Sequence, residues 1–148
     1  MEKIEKVLAS GNTHSSVNRD PNVQPGEFGA YDLTLTAPGL EPVGLVGIDP
    51  HPRAEQLFAG AWSACYTTVF GMVAQMKKVT LPHNYSVGIK VNVGQTGSAW
   101  FLGAEFTVRV PGLATAVVEE LAHLAHQICP YSKSVRGNIE VSTAVVTQ

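Results

Sequence analysis

One long apolar run, set between prolines and lysines, constrains this chain more than any other feature. Pro50 and Pro52 disfavour helix ahead of them, and no proline interrupts residues 53–78. Leu57, Ala61, Ala64, Cys65, Thr68, Met72 and Met76 recur there at i, i+3, i+4 spacing. That spacing predicts a long helix with an apolar stripe, ending near Lys77 and Lys78, whose charges suit a helix C-terminus. The stretch 57–74 has the length to cross a bilayer. Its Ser63, Cys65, Tyr66, Thr67 and Thr68 and its small residues fit a helix buried in a protein core better.

The remaining chain reads mostly as strands. Residues 3–9 and 28–36 form two, the second by the alternation of Tyr31, Leu33 and Leu35 with Asp32, Thr34 and Thr36. Residues 11–26 between them, rich in Asn, Ser and Pro, read as a loop or irregular strand. Residues 84–93 and 100–110 flank Gly94-Gln95-Thr96-Gly97, a hairpin signal. A second helix fits 114–128, with Val117, Val118, Leu121, Leu124, Ala125 and Ile128 as its stripe and Pro130 limiting its length. A last strand covers Ile139 to Val146. The order β-β-α-β-β-α-β has no internal repeat and no regular βαβ alternation, which predicts an α+β fold forming one domain over residues 1–148.

Composition narrows the partners. Charged residues are 15% of the 148 and hydrophobic ones 45%, with a net charge of −2. Soluble domains typically carry about 25% charged residues. The balance gives no basic footprint for nucleic acid or an anionic membrane, and it disfavours disorder. So apolar a surface argues for burial against a second copy of the chain. The opening residues, Met1-Glu2-Lys3-Ile4-Glu5-Lys6, alternate charge with apolar character, unlike a secretory signal. A cytoplasmic protein is expected, and in that compartment a cysteine pair is more often catalytic, metal-binding or incidental than a stable structural disulfide.

Cys65 lies on the stripe of the first helix and Cys129 at the end of the stripe of the second. Packed helices could bring the two within disulfide range, which needs Cα atoms within about 7 Å. On spacing alone the plainer reading is that both are small core hydrophobes, since free Cys is commonly buried. A reactive thiol in an apolar helix would need help, because burial disfavours the thiolate. An arginine is the natural source, and Arg19, Arg53, Arg109 and Arg136 are the candidates. His123, His126 and Cys129 form H-x-x-H-x-x-C, but on a helix His126 is about 60° and Cys129 about 120° from His123. That is poor convergence for a metal, and none is expected. Gly-rich phosphate loops, G-x-S-x-G and H-E-x-x-H are missing.

The residues around the cysteines resemble a known family. Glu55-Gln56-Leu57-Phe58-Ala59-Gly60-Ala61-Trp62-Ser63-Ala64-Cys65 resembles the E-Q-L-F-A-x-G/A-x-x-A-C-F/Y segment of the organic hydroperoxide resistance branch of the OsmC/Ohr family. Cys129-Pro130-Tyr131-Ser132-Lys133-Ser134-Val135-Arg136-Gly137-Asn138 is similar to its C-P-Y-S-x-A-x-R-G-N segment, which favours this branch over its osmotically inducible sister. The resemblance implies antiparallel sheets wrapped around two central helices in an intertwined homodimer. It further implies a thiol-dependent peroxidase that reduces organic hydroperoxides, alkyl or lipid, to alcohols. Cys65 matches the attacking cysteine, Cys129 the resolving one, Arg19 an arginine of the family's R-D-G segment and Glu55 its paired carboxylate. Arg19-Asp20 is followed by Pro21 where the family has Gly. The implied reductant is a dihydrolipoyl group on a lipoylated protein or free dihydrolipoamide, with no bound cofactor.

Glu55 lies ten positions before Cys65, about 15 Å along an unbroken helix. Arg19 would have to bridge them, the helix would have to start or bend after Glu55, or Glu55 would have to come from the other subunit. Leu57, Phe58, Trp62, Tyr66, Phe70 and Tyr131 are candidates for an apolar funnel, although most are expected in the core. Two other functions compete with the peroxidase. A cysteine hydrolase or acyl transferase would need His123 or His126 as base, and a redox sensor or binding module would form the disulfide without turnover.

Overall fold

The structure, a computed structural model, describes residues 4–17, 31–36 and 54–148. Its elements are β1 (Lys6–Val17), β2 (Tyr31–Thr36), α1 (Ala54–Met76), β3 (Ser86–Thr96), β4 (Ala99–Arg109), α2 (Thr115–Ile128), α3 (Pro130–Val135) and β5 (Glu140–Val146). The α+β class is the one expected. Arg19, Arg53 and the proline-rich stretch 37–53 lie outside the described residues.

The five strands make one sheet in the order β2-β1-β3-β4-β5. Its first three pairings are antiparallel, and β4 with β5 is parallel, from Gly103↔Glu140 to Arg109↔Val146. The expectation of wholly antiparallel sheets is therefore corrected. The cause is the α2–α3 segment, long enough to carry the chain back to the starting end of β4 so that β5 runs in the same direction, as a parallel pairing requires. The described strand β1 also runs on to Val17, through part of what reads in the sequence as loop, because its polar residues pair with both β2 and β3.

The β3–β4 hairpin turns tightly at Gly97–Ser98, one residue pair later than the sequence signal centres it. Gly97 takes φ 59 at the first turn position, where the twist of a two-residue hairpin favours glycine. Alternate residues of the hairpin face the helices: Val87, Ile89, Val91, Ala104, Phe106 and Val108 are all buried. Their register, Val87↔Val108, Ile89↔Phe106 and Val91↔Ala104, stacks them as cross-strand pairs.

Helix α1 packs along β1 and β3 and against α2. The core takes Ala59, Trp62, Tyr66, Val69, Phe70, Val73 and Ala74. That is the side opposite the stripe expected to be buried. Leu57, Met72 and Met76 of the stripe are 47%, 54% and 71% exposed. The helix is apolar on both sides, so periodicity alone could not say which side the large aromatic residues would take. Trp62 and Tyr66 each stack edge-on against Phe106 at 4.9 Å between ring centres, a geometry that adds about 1 kcal/mol to area burial. Helix α1 is long and apolar enough to cross a membrane, and here that apolar length is what fills the core.

Candidate active site

Cys65 sits at the middle of α1 and Cys129 at the junction of α2 and α3. Pro130 at the first position of α3 has no N–H to continue α2, so the chain breaks at Cys129. The Cys129 N–H still closes α2 on the Ala125 carbonyl at 2.8 Å, while its own carbonyl accepts the Lys133 N–H at 2.9 Å. The cysteine is thus held from both sides of the break. Its Sγ lies 3.3 Å from that of Cys65, both thiols being free. Cys129 is fully buried and Cys65 half-buried.

Burial pushes the Cys65 thiol up to about 11, assisted by the hydrogen bond and the charge of Cys129, and opposed by the backbone N–H of Tyr131. A thiol in this state is a poor nucleophile at neutral pH, so a positive charge is needed. Two of the four candidate arginines are described. Arg109 donates to the Gln148 carbonyl at 3.2 Å and Arg136 to the His126 carbonyl at 3.4 Å. Neither is directed at Cys65, which leaves Arg19 and Arg53, both outside the described residues. Glu55 stands in the first turn of α1, and the helix runs unbroken from there through Cys65. A bend after Glu55 is therefore not the answer to their separation.

The histidines have other occupations. His123 Nε2 meets the Gln127 amide at 2.8 Å. His126 Nδ1 lies 3.2 Å from Ser132 Oγ and its Nε2 lies 3.1 Å from Thr143 Oγ1. With both ring nitrogens engaged, His126 is not the base a hydrolytic Cys65 requires. Its ring lies 4.6 Å from Tyr66 and 4.7 Å from Phe106 between centres. Burial, with the nearby His123 and Arg136, drives its pKa down to about 4. Among the described residues no three His, Cys, Asp or Glu side chains cluster as metal ligands.

Of the funnel candidates, Trp62, Tyr66 and Phe70 are fully buried core residues, whereas Leu57 and Tyr131 are open beside the cysteines' elements. Sequence reasoning missed two features. One is the Tyr131 amide that supports the Cys65 sulfur. The other is the bond from Trp62 Nε1 to Ser132 Oγ at 2.9 Å. Pro130 immediately after Cys129 was the available signal, since proline starts helices and a new helix start aims its amides outward.

Two free thiols brought together on helices backed by a mixed sheet place the chain in the OsmC-like class, and the OsmC-like protein family matches residues 47–144. The chain belongs to the OsmC/Ohr family. It is 34% identical over 142 residues to the organic hydroperoxide resistance protein of Xanthomonas axonopodis pv. citri, covering 96% of this chain and 97% of that one. The solved organic hydroperoxide resistance protein of Elizabethkingia anophelis superposes with a TM-score of 0.62 at 27% identity, covering 98% of this chain and 100% of the other. A Legionella pneumophila relative described in the same terms gives 0.62 at 28% identity, over 78% and 89% of the two chains.

Proposed function

We propose that this protein is a thiol-dependent peroxidase that reduces organic hydroperoxides to alcohols. The observation that carries the reading is the 3.3 Å approach of two free thiols from separate elements, in a chain whose relatives are named for organic hydroperoxide resistance. Their unequal exposure fits unequal roles. Half-buried Cys65 is open to a substrate, and fully buried Cys129 is open chiefly to Cys65.

In the proposed cycle the Cys65 thiolate attacks the distal oxygen of the hydroperoxide. The O–O bond breaks, the alkoxide takes up a proton and leaves as the alcohol, and Cys65 becomes a sulfenic acid. The Cys129 sulfur then attacks that sulfenic acid, water leaves, and a Cys65–Cys129 disulfide forms. The sulfurs must close from 3.3 Å to about 2.05 Å, a small movement. A dihydrolipoyl group, free or on a lipoylated protein, reduces the disulfide by exchange and becomes the lipoyl disulfide. Arg19 would supply the charge that brings the Cys65 thiol down from about 11. Glu55 would orient Arg19, either by bridging through it or by reaching the site from a second subunit. The proposed setting is the cytoplasm, where thiols are kept reduced.

A homodimer completes the proposal. The outer stripe of α1, with Leu57, Met72 and Met76 exposed and Cys65 in its middle, is an apolar face suited to a second copy of the chain. It would exclude water from the thiols and favour an alkyl or lipid peroxide over hydrogen peroxide.

Steady-state consumption of cumene hydroperoxide with dihydrolipoamide tests the reading. Turnover by the wild type, and its loss in Cys65→Ser, are expected. A reduced protein with no turnover overturns it, and a stoichiometric disulfide without turnover would leave the redox sensor in its place.

A further inference from the structure

Trp62 precedes Cys65 by three positions on α1, and Ser132 follows Cys129 by three positions on α3. One helical turn therefore separates the members of each pair, and the pairs face each other crosswise. Trp62 Nε1 donates to Ser132 Oγ at 2.9 Å, as Cys65 Sγ meets Cys129 Sγ at 3.3 Å. Trp62 is fully buried and Ser132 6% exposed, so neither end of the first bond has water as a substitute.

Ser132 has a second partner in His126 Nδ1, at 3.2 Å. Because Ser132 Oγ already accepts from the Trp62 indole, its own proton is free to go to Nδ1. The ring then carries its proton on Nε2, donated to Thr143 Oγ1 at 3.1 Å. In the reverse tautomer the buried Ser132 hydroxyl would have no acceptor among the described residues. The directional chain joins α1, α3, α2 and β5. The ring at its centre packs against both Tyr66 and Phe106, which also pack on each other, and Tyr66 is itself tied to α2 through the Ala122 carbonyl at 2.9 Å.

We propose that Ser132, seated by Trp62 and His126, is a positioning residue that holds Cys129 against Cys65, so that the disulfide forms in preference to further oxidation of Cys65. The inference rests on the peroxidase reading for its meaning, while the positioning itself can be measured without any peroxide. Cys129 lies at a helix break, where neither α2 nor α3 fixes its direction alone. A hydrogen bond one turn away, on the same short helix, sets the spacing between α3 and α1 and with it the sulfur–sulfur distance.

The test equilibrates the reduced full-length protein with glutathione buffers. Two protein thiols and one glutathione disulfide give the Cys65–Cys129 disulfide and two glutathiones, and the equilibrium constant is the effective concentration of the pair. In Ser132→Ala this should fall about tenfold, the size of one lost hydrogen bond. Ser132→Thr, which keeps the hydroxyl, should restore it. With excess cumene hydroperoxide, Ser132→Ala should accumulate more Cys65 sulfinic acid per turnover by mass spectrometry. Trp62→Phe, which keeps the ring and removes the donor, should shift the equilibrium in the same direction and stands in if Ser132→Ala does not fold. An effective concentration unchanged in the folded alanine or phenylalanine variant overturns the proposal, as does failure of Ser132→Thr to restore it. Absence of peroxide turnover in the wild type would instead overturn the peroxidase reading and leave the glutathione result standing.

Discussion

At the scale of single residues, the site is decided by what surrounds each titrating group. Cys65 is held protonated up to about 11 by burial and by Cys129, so a positive charge close to it should have a large effect. Absorbance titration of the thiolate at 240 nm should place the Arg19→Ala variant near that value and the wild type well below it. Coinciding titrations would remove Arg19 from the mechanism. His126 gives a prediction of opposite character. Its folded pKa, about 4, lies below the ordinary value of about 6.5. Between those values the unfolded chain binds more protons than the folded one, so stability rises with pH across the window. It is fully present above about pH 6.5 and is lost as pH falls towards 4, an effect on the order of 2–3 kcal/mol. Urea unfolding at pH 4.5 and 7 measures it, and the difference should shrink in His126→Gln.

At the scale of elements, two backbone details set where α1 ends and how closely β1 approaches β3. Helix α1 ends with the Val79 N–H on the Ala74 carbonyl and the Lys78 N–H on that of Gln75, while Lys78 takes φ 57. This is a Schellman cap with lysine where glycine is usual. Lys78→Gly should therefore stabilise the protein by about 1 kcal/mol and raise Tm by about 3 °C, read by calorimetry. Gly94 in β3 is the reverse case. A Cβ there would lie 2.6 Å from the Lys6 carbonyl oxygen and would also overlap Ile4, where β1 enters the sheet beside its irregularity at Val7/Ala9. Gly94→Ala should cost about 1–3 kcal/mol and loosen the amides of β1 in hydrogen exchange.

For the whole molecule, the question is which side of α1 faces inward. The aromatic side fills the sheet-facing core, and truncating Phe106, which touches Trp62, Tyr66 and His126, should cost about 3–5 kcal/mol. The stripe through Leu57, Cys65 and Met72 remains for the proposed second copy. Met72→Glu should leave the far-ultraviolet dichroism of each chain intact and shift sedimentation from dimer towards monomer at micromolar concentration. A dimer of undiminished stability would place the interface elsewhere.

Much of this protein is written locally. The proline-bounded helix, the alternation in β2, the hairpin signal between β3 and β4, and the two motifs around Cys65 and Cys129 are legible because periodicity and short-range residue types determine them. The side on which α1 is buried, the parallel entry of β5, the short helix α3 and the chain from Trp62 through Ser132 to His126 are not. Each depends on residues far apart in sequence competing for the same space. Cys65 and Cys129 are 64 positions apart, Trp62 and Ser132 are 70 apart, and His126 and Thr143 are 17 apart. Sequence alone determined that the chain carries two thiols and a helix to mount one of them. Only the tertiary structure decided that they meet, because the helix break at Pro130 and the burial of Trp62 act together only after the sheet and helices have packed.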